Sequence, residues 1–362
     1  MKRSLAALAA VLTALVIFAF PCSAEFGTDE LYDALPDDVR GELEDSGITV
    51  HGGTEKLSVG DIWERIVSAL TGNADKPVKM FAAVIAVILL ASLISGLNDA
   101  AGGMSGVCSL VTSVSAAAVI SAYLGDIMET ARTAFTAASD FMLTYVPVLA
   151  GVAAVGGHTS SAAVYSSVTL TAIQVLSRLT SSVIIPLTGC IIGITAAAGA
   201  DPDLKLERLC EGIKKFVIWG LGLIMTLFLG ILSVQSIITA SADNAGMKAL
   251  KFTVSSSVPF VGGAVSDALA TVSGSLSVLR SGTGGFGIAA VVMMLLPPVV
   301  TVLLYKFLLF AAGVISDLFG CGAAGKIIKS GENAMSVILA ALACMLVFMT
   351  VSSAVLLVFC RS

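Results

Sequence analysis

The feature that limits this chain most is a series of apolar runs, each near bilayer length, that begins at Met80 and continues to the C-terminus. About 20 apolar residues in helical geometry cross the hydrocarbon core of a bilayer. With no water there to satisfy backbone polar groups, only helices and closed barrels can cross. Runs of this length lack the two-residue alternation of barrel strands, so the expected fold class is all-α and polytopic. Composition agrees, with 57% hydrophobic residues, 12% charged residues and a mean hydropathy of +0.98, outside the range of soluble domains. Crossings are expected near 80–97, 104–124, 181–199, 216–238, 286–305 and 334–359.

The N-terminus reads differently. Lys2 and Arg3 precede an uncharged run from Leu5 to Phe20, then Pro21 and the small-residue site Cys22-Ser23-Ala24. This is the layout of a signal peptide over 1–24, with cleavage expected after Ala24. Residues 25–76 carry 13 acidic and 4 basic side chains, whereas 77–362 carry 12 and 14. The negative balance therefore belongs to one extracytoplasmic segment, and the pattern gives no basic patch for nucleic acid. Within it, Ile62, Trp63, Ile66, Val67 and Leu70 recur at helical spacing after Ser58. So short a segment buries little core alone, so this helix docks either on its own membrane domain or on a partner protein.

The membrane domain, 77–362, contains an internal repeat. Val146-Pro147-Val148-Leu149-Ala150-Gly151 parallels Val258-Pro259-Phe260-Val261-Gly262-Gly263, with the prolines 112 residues apart, and Pro186 and Pro298 stand at the same offset. A basic connector follows each copy, at 207–215 and 325–333. Repeat 1 is expected over about 104–215, repeat 2 over about 216–333, and a final helix over 334–359. Between crossings lie 141–179 and 252–280, apolar but broken by Gly, Ser and Pro. The pieces 252–265 and 267–279 are too short to cross separately at 1.5 Å per residue. They are expected as re-entrant hairpins opening to the outer face, the second turning near Gly262-Gly263. That arrangement places both connectors inside, as the positive-inside rule prefers.

The stretch 235–287 holds most of the candidate residues: Gln235, Asp243, Lys248, Lys251, Pro259, Gly262, Gly263, Asp267 and Arg280. Charges at membrane depth are expensive and face protein, water or a partner. Arg178 and Arg280 stand at corresponding hairpin ends, where snorkelling to the interface is the first reading and pairing of Arg280 with Asp267 the second. His158, behind Gly156-Gly157 at the expected tip of the first hairpin, could relay protons or gate.

Other motifs lack their required context. Gly320 to Lys326 fits G-x-x-x-x-G-K, but Ile327 stands where Ser or Thr should hold magnesium and no strand precedes. Gly282, Gly284 and Gly287 fit G-x-G-x-x-G, but a membrane helix follows, which leaves a flexible hairpin exit as the reading. Gly189 and Gly193 match a helix-packing spacing that is frequent in Gly-rich segments. No nucleophile, acid and base are grouped for catalysis, and no His or Cys set has metal-ligand spacing, so neither an enzyme nor a cofactor is expected. The seven cysteines fall in the leader, in apolar runs or near helix ends, as for buried thiols rather than disulfides.

The run from Gln235 through Ser241-Ala242-Asp243, Lys248, Lys251, Val258 to Gly263, Ser266-Asp267-Ala268 and on to Phe286-Gly287 resembles the stage III sporulation protein AE family. The leader, acidic outer segment and polytopic domain resemble that family as a whole. The resemblance implies a mother-cell membrane protein facing the forespore, within a multi-protein channel or secretion-like complex that supports forespore development. It implies other stage III sporulation membrane proteins as partners and no enzymatic activity; self-association is an open alternative. Two other readings stand beside it: an autonomous secondary transporter with its site among Asp243, Asp267, Arg280 and His158, and a non-conducting scaffold.

Overall fold

In a computed structural model, residues 28–45, 67–68, 71–72, 74–101, 105–155, 158–198, 206–257 and 262–359 are described, and for 242–281 this covers the backbone alone. Every described regular element is helical. Two short helices, α1 (Thr28–Asp33) and α2 (Asp37–Asp45), precede α3 (Asp75–Ala101) and α4 (Ser105–Val155). There follow α5 (Thr159–Leu179), a π turn (Thr180–Ile184), α6 (Ile185–Ala198), α7 (Leu206–Ser257), α8 (Gly262–Leu318) and α9 (Gly322–Phe359). Among the described residues, six stretches are long and apolar enough to cross a membrane: 75–93, 110–155, 159–197, 207–235, 282–318 and 322–355.

The expected break between the 104–124 crossing and the first hairpin is absent, because α4 runs unbroken for 51 residues. Its polar middle, 125–140, contains no proline, and the hydroxyls of Thr130, Thr133 and Thr136 each donate to a carbonyl four residues back. Nothing competes with the helix there, so it propagates. The arms of both hairpins are thus continuous with the crossing helices. At 1.5 Å per residue, α4 is about 76 Å long, and α7 and α8, with 52 and 57 residues, about 78 and 86 Å. All three exceed the ~30 Å hydrocarbon thickness more than twofold.

Proline positions explain the ends. Pro259 has no N–H and disfavours helical geometry at Val258, and α7 stops at Ser257. Residues 258–261 lie outside the described residues, and Gly262-Gly263 are the first residues of α8. Pro186 follows the π turn, a common adjustment where a helix loses a hydrogen bond. The turn between α8 and α9 contains Gly320 at φ +69°, a left-handed geometry that glycine adopts without a Cβ penalty.

Helix α9 is the centre, packing against α4, α5, α6, α7 and α8. Of its most apolar stretch 56% is buried, against 22% for α3 and α7, which are peripheral. Long-range contacts give the directions. Gly331 lies by Ile120 and Leu309, Tyr165 by Ser352, and Phe228 by Phe348 with ring centroids 4.3 Å apart. Helices α4, α7 and α9 run one way and α8 the other.

Within 25–76, the short helices α1 and α2 dock on the long helices α4 and α8. Leu31, Leu35, Val39 and Leu43, four residues apart, are all buried. They pack with α4 and α8, and Tyr32 tilts against Phe286 at 5.2 Å. Arg40 Nη2 donates to Asp33 Oδ1 at 2.7 Å, tying α2 to α1. Most of the amphipathic helix expected over 58–71 lies outside the described residues; Val67, Ser68, Thr71 and Gly72 are helical and exposed.

Candidate functional site

The two long hairpins, α4 with α5 and α7 with α8, meet at Tyr145. This side chain is fully buried on α4 and stacks on Phe141, with ring centroids 5.5 Å apart. Its hydroxyl donates to the carbonyl of Gly284 on α8 at 3.2 Å. Its ring lies against Gly287, where a Cβ would fall inside the ring. Residues 282–287 are all buried within α8. The glycines expected to form a flexible exit instead bring one helix backbone onto a tyrosine face, the use of glycine at close approach.

More hydroxyls gather around this junction. Ser352 Oγ on α9 donates to the Tyr165 hydroxyl on α5 at 3.2 Å. It also shares a 3.2 Å bond with Thr169 Oγ1. Ser353 donates to the Met349 carbonyl at 2.9 Å and lies beside the Tyr145 hydroxyl. Helices α4, α5, α8 and α9 thus enclose a polar seam within an otherwise apolar core. Leaving such a buried hydroxyl without a partner costs roughly 1–3 kcal/mol, so the seam also fixes how the four helices register.

The basic connectors meet at the opposite end. Lys329 Nζ lies 2.8 Å from Glu207 Oε1, and Lys214 Nζ donates to Asn333 Oδ1 at 2.7 Å. Lys215 pairs with Glu211 at 2.9 Å. The Lys329 and Glu207 side chains are 65% and 29% exposed, so solvent screens the pair and its value is positional. The connectors after the two halves occupy one face of the molecule.

The residues singled out from sequence divide between the two hairpin ends. His158 begins α5 at the first tip, its N–H donating to the Ala153 carbonyl at 3.2 Å and its carbonyl accepting from Ala162 at 2.9 Å. Gln235 is half-buried on α7. Asp243, Lys248 and Lys251 lie on the helical backbone of α7, and Gly262, Gly263, Asp267 and Arg280 on that of α8. For these seven only the backbone is described, and Pro259 lies outside the described residues. Tyr145, Tyr165, Thr169, Ser352 and Ser353 were not legible as a group. Tyr145 stands two residues before the repeated proline motif, yet nothing local pairs it with a carbonyl 139 residues away. Gly320 to Lys326 forms the α8–α9 turn, where Ser316 Oγ donates to the Cys321 carbonyl at 2.8 Å. Among the described residues no three His, Cys, Asp or Glu side chains are grouped to hold a metal.

Six apolar helices around a buried polar seam, with charged connectors at one face, define a polytopic helical membrane protein. The model of the stage III sporulation protein AE family matches residues 43–359. The chain belongs to that family, and is a sporulation membrane protein. Stage III sporulation protein AE of Bacillus subtilis (strain 168) is 26% identical over 192 residues, 53% of this chain and 48% of that one. The match thus spans about half the length of that curated relative. No solved structure matches.

Proposed function

We propose that this chain is a membrane core of a multi-protein channel or secretion-like complex between mother cell and forespore, supporting forespore development. It sits in the mother-cell membrane, with 1–24 removed as a signal peptide and the acidic segment 25–76 on the extracytoplasmic side. The observation that carries this reading is the overshoot of α7 and α8. With 52 and 57 residues they are about 78 and 86 Å long, far more than a ~30 Å hydrocarbon core takes, and the charged residues Asp243, Lys248, Lys251, Asp267 and Arg280 fall on the parts of the two helices that adjoin 258–261 in sequence. A pair of that reach suits contact with other components outside the bilayer or a wet path near it.

The internal repeat belongs to the same reading. Each half consists of a long helix, a turn and a second long helix, followed by a basic connector, as in transport proteins built from repeats. The re-entrant placement of the two tips is part of this proposal too, since it would put broken backbone where it lines a cavity. Enzyme chemistry has no role in it. The test is purification of tagged protein from sporulating cells. Recovery of other stage III sporulation membrane proteins in fixed ratio is the expected result. Purified protein that alone moves a solute across vesicles, with no companions in cells, would replace the complex with an autonomous transporter.

A further inference from the structure

A cleft of about 1100 Å³ opens between α2, α3, α4 and α8. Its floor is apolar and comes mainly from α8: Met293, Met294, Pro297, Pro298 and Val302. Both prolines lie inside the helix. Neither has an N–H, so the carbonyls of Met293 and Met294, four residues back, lose their helical donors. The floor thus combines adaptable methionine surface with two backbone acceptors that the helix itself does not satisfy. The rim is charged, with Asp38, Glu42, Asp75 and Asp126 against Lys76 and Lys79. Lys76 lies 3.7 Å from Asp126, and both are well exposed, so the rim keeps a negative balance.

We propose that this cleft receives an amphipathic helix of a partner protein that carries Lys or Arg along its flanks. The volume suits about two turns of a helix ~10 Å in diameter. The floor takes its apolar face, and the rim carboxylates and the two carbonyls take its cationic donors, an arrangement that selects partners by charge. Between Glu42 and Ser68, which both line the cleft, the chain's own residues 46–66 intervene in sequence. They carry Glu55, Asp61 and Glu64 against Lys56 and Arg65, a negative balance that the rim disfavours. The inference rests on the complex-forming role proposed above.

The test places a photo-cross-linking amino acid at Thr133, exposed on the cleft wall, in the full-length tagged protein in sporulating cells. Phe307, exposed on α8 away from the cleft, serves as control. Sequencing of the adduct should identify a Lys- and Arg-rich amphipathic segment of another protein at Thr133 and not at Phe307. Asp75→Lys with Asp126→Lys should lower its yield roughly tenfold, since like charge is set against like, and Lys79→Glu should raise it. An adduct to residues 46–66, to lipid, to an acidic segment, or none at all, would overturn the inference, as would a yield unmoved by either change. If companions still co-purify in that case, the proposed function stands and the cleft alone is refuted; if none co-purifies, both fall.

Discussion

The hydroxyl of Tyr145 donates to the carbonyl of Gly284 at 3.2 Å, and the same ring covers Gly287 one turn further along α8. This contact joins the two halves of the chain. Gly287→Ala is expected to destabilise by about 1–3 kcal/mol through overpacking, and Tyr145→Phe by only about 1 kcal/mol through one lost hydrogen bond. The double variant Tyr145→Leu/Gly287→Ala should be more stable than the sum of its single changes predicts. Thermal unfolding of purified protein in detergent reads these variants together with Tyr145→Leu alone; strict additivity of Tyr145→Leu and Gly287→Ala would show that the ring and the glycine do not meet.

Ser352 offers a second test of the seam, because its single oxygen meets both Tyr165 and Thr169. Ser352→Ala should cost roughly 1–3 kcal/mol, the usual effect of leaving buried partners unsatisfied. Adding Thr169→Val should recover part of that loss. The pair of melting curves decides it, and an Ser352→Ala protein as stable as the parent would mean that water reaches the seam.

Membrane sidedness follows from the connectors. Leu209 is 53% exposed between Glu207 and the buried Cys210. In a background without exposed native thiols, Leu209→Cys should react with an impermeant thiol reagent only after the cells are opened. Labelling in intact cells would place the Glu207–Lys329 face outside and reverse the topology.

Docking of α1 and α2 has a local signature. Leu43 is fully buried on α2, and Leu43→Ala should cost about 2–5 kcal/mol as a large-to-small core change. Because α1 and α2 are short and joined to the rest by a long segment, the cost should appear as release of this segment rather than global unfolding. Limited proteolysis of membranes would detect it as faster cleavage within 28–45 at unchanged melting of the membrane domain.

Asp267 lies near the start of α8, and the first half has no carboxylate at the corresponding place. Asp267→Asn should lower spore yield while leaving protein level unchanged. Normal sporulation would reduce the 235–287 stretch to a packing role.

Legibility from sequence differed from one part of the chain to the next. The six apolar crossings could be read because the bilayer imposes a length and a composition on each segment separately. The end of α4 at Val155 was legible because the glycine pair Gly156-Gly157 follows it in sequence, and such pairs interrupt a helix locally. Likewise α7 ends at Ser257, just before Val258-Pro259, where the proline disfavours helical geometry. Leu31, Leu35, Val39 and Leu43 form a regular stripe that Pro36 interrupts, which hid the docking face. The buried hydroxyls had no local signal, as Ser, Thr and Tyr are equally at home on the outside of a membrane helix.

From the order of its residues alone, this chain is committed to an all-helical membrane fold, to long crossing segments and to turns at proline and glycine, because those outcomes depend on nearest-neighbour sterics and solvent transfer. Only the tertiary structure decided that Tyr145 meets Gly284, that Glu207 meets Lys329, and that α2 closes one side of a charged cleft. Each of those contacts joins residues far apart in the chain, and helices of similar apolar composition could pair in many ways. What selects one pairing is the fit of a ring to a missing Cβ and of each buried hydroxyl to an acceptor, and those matches exist only once the helices are side by side.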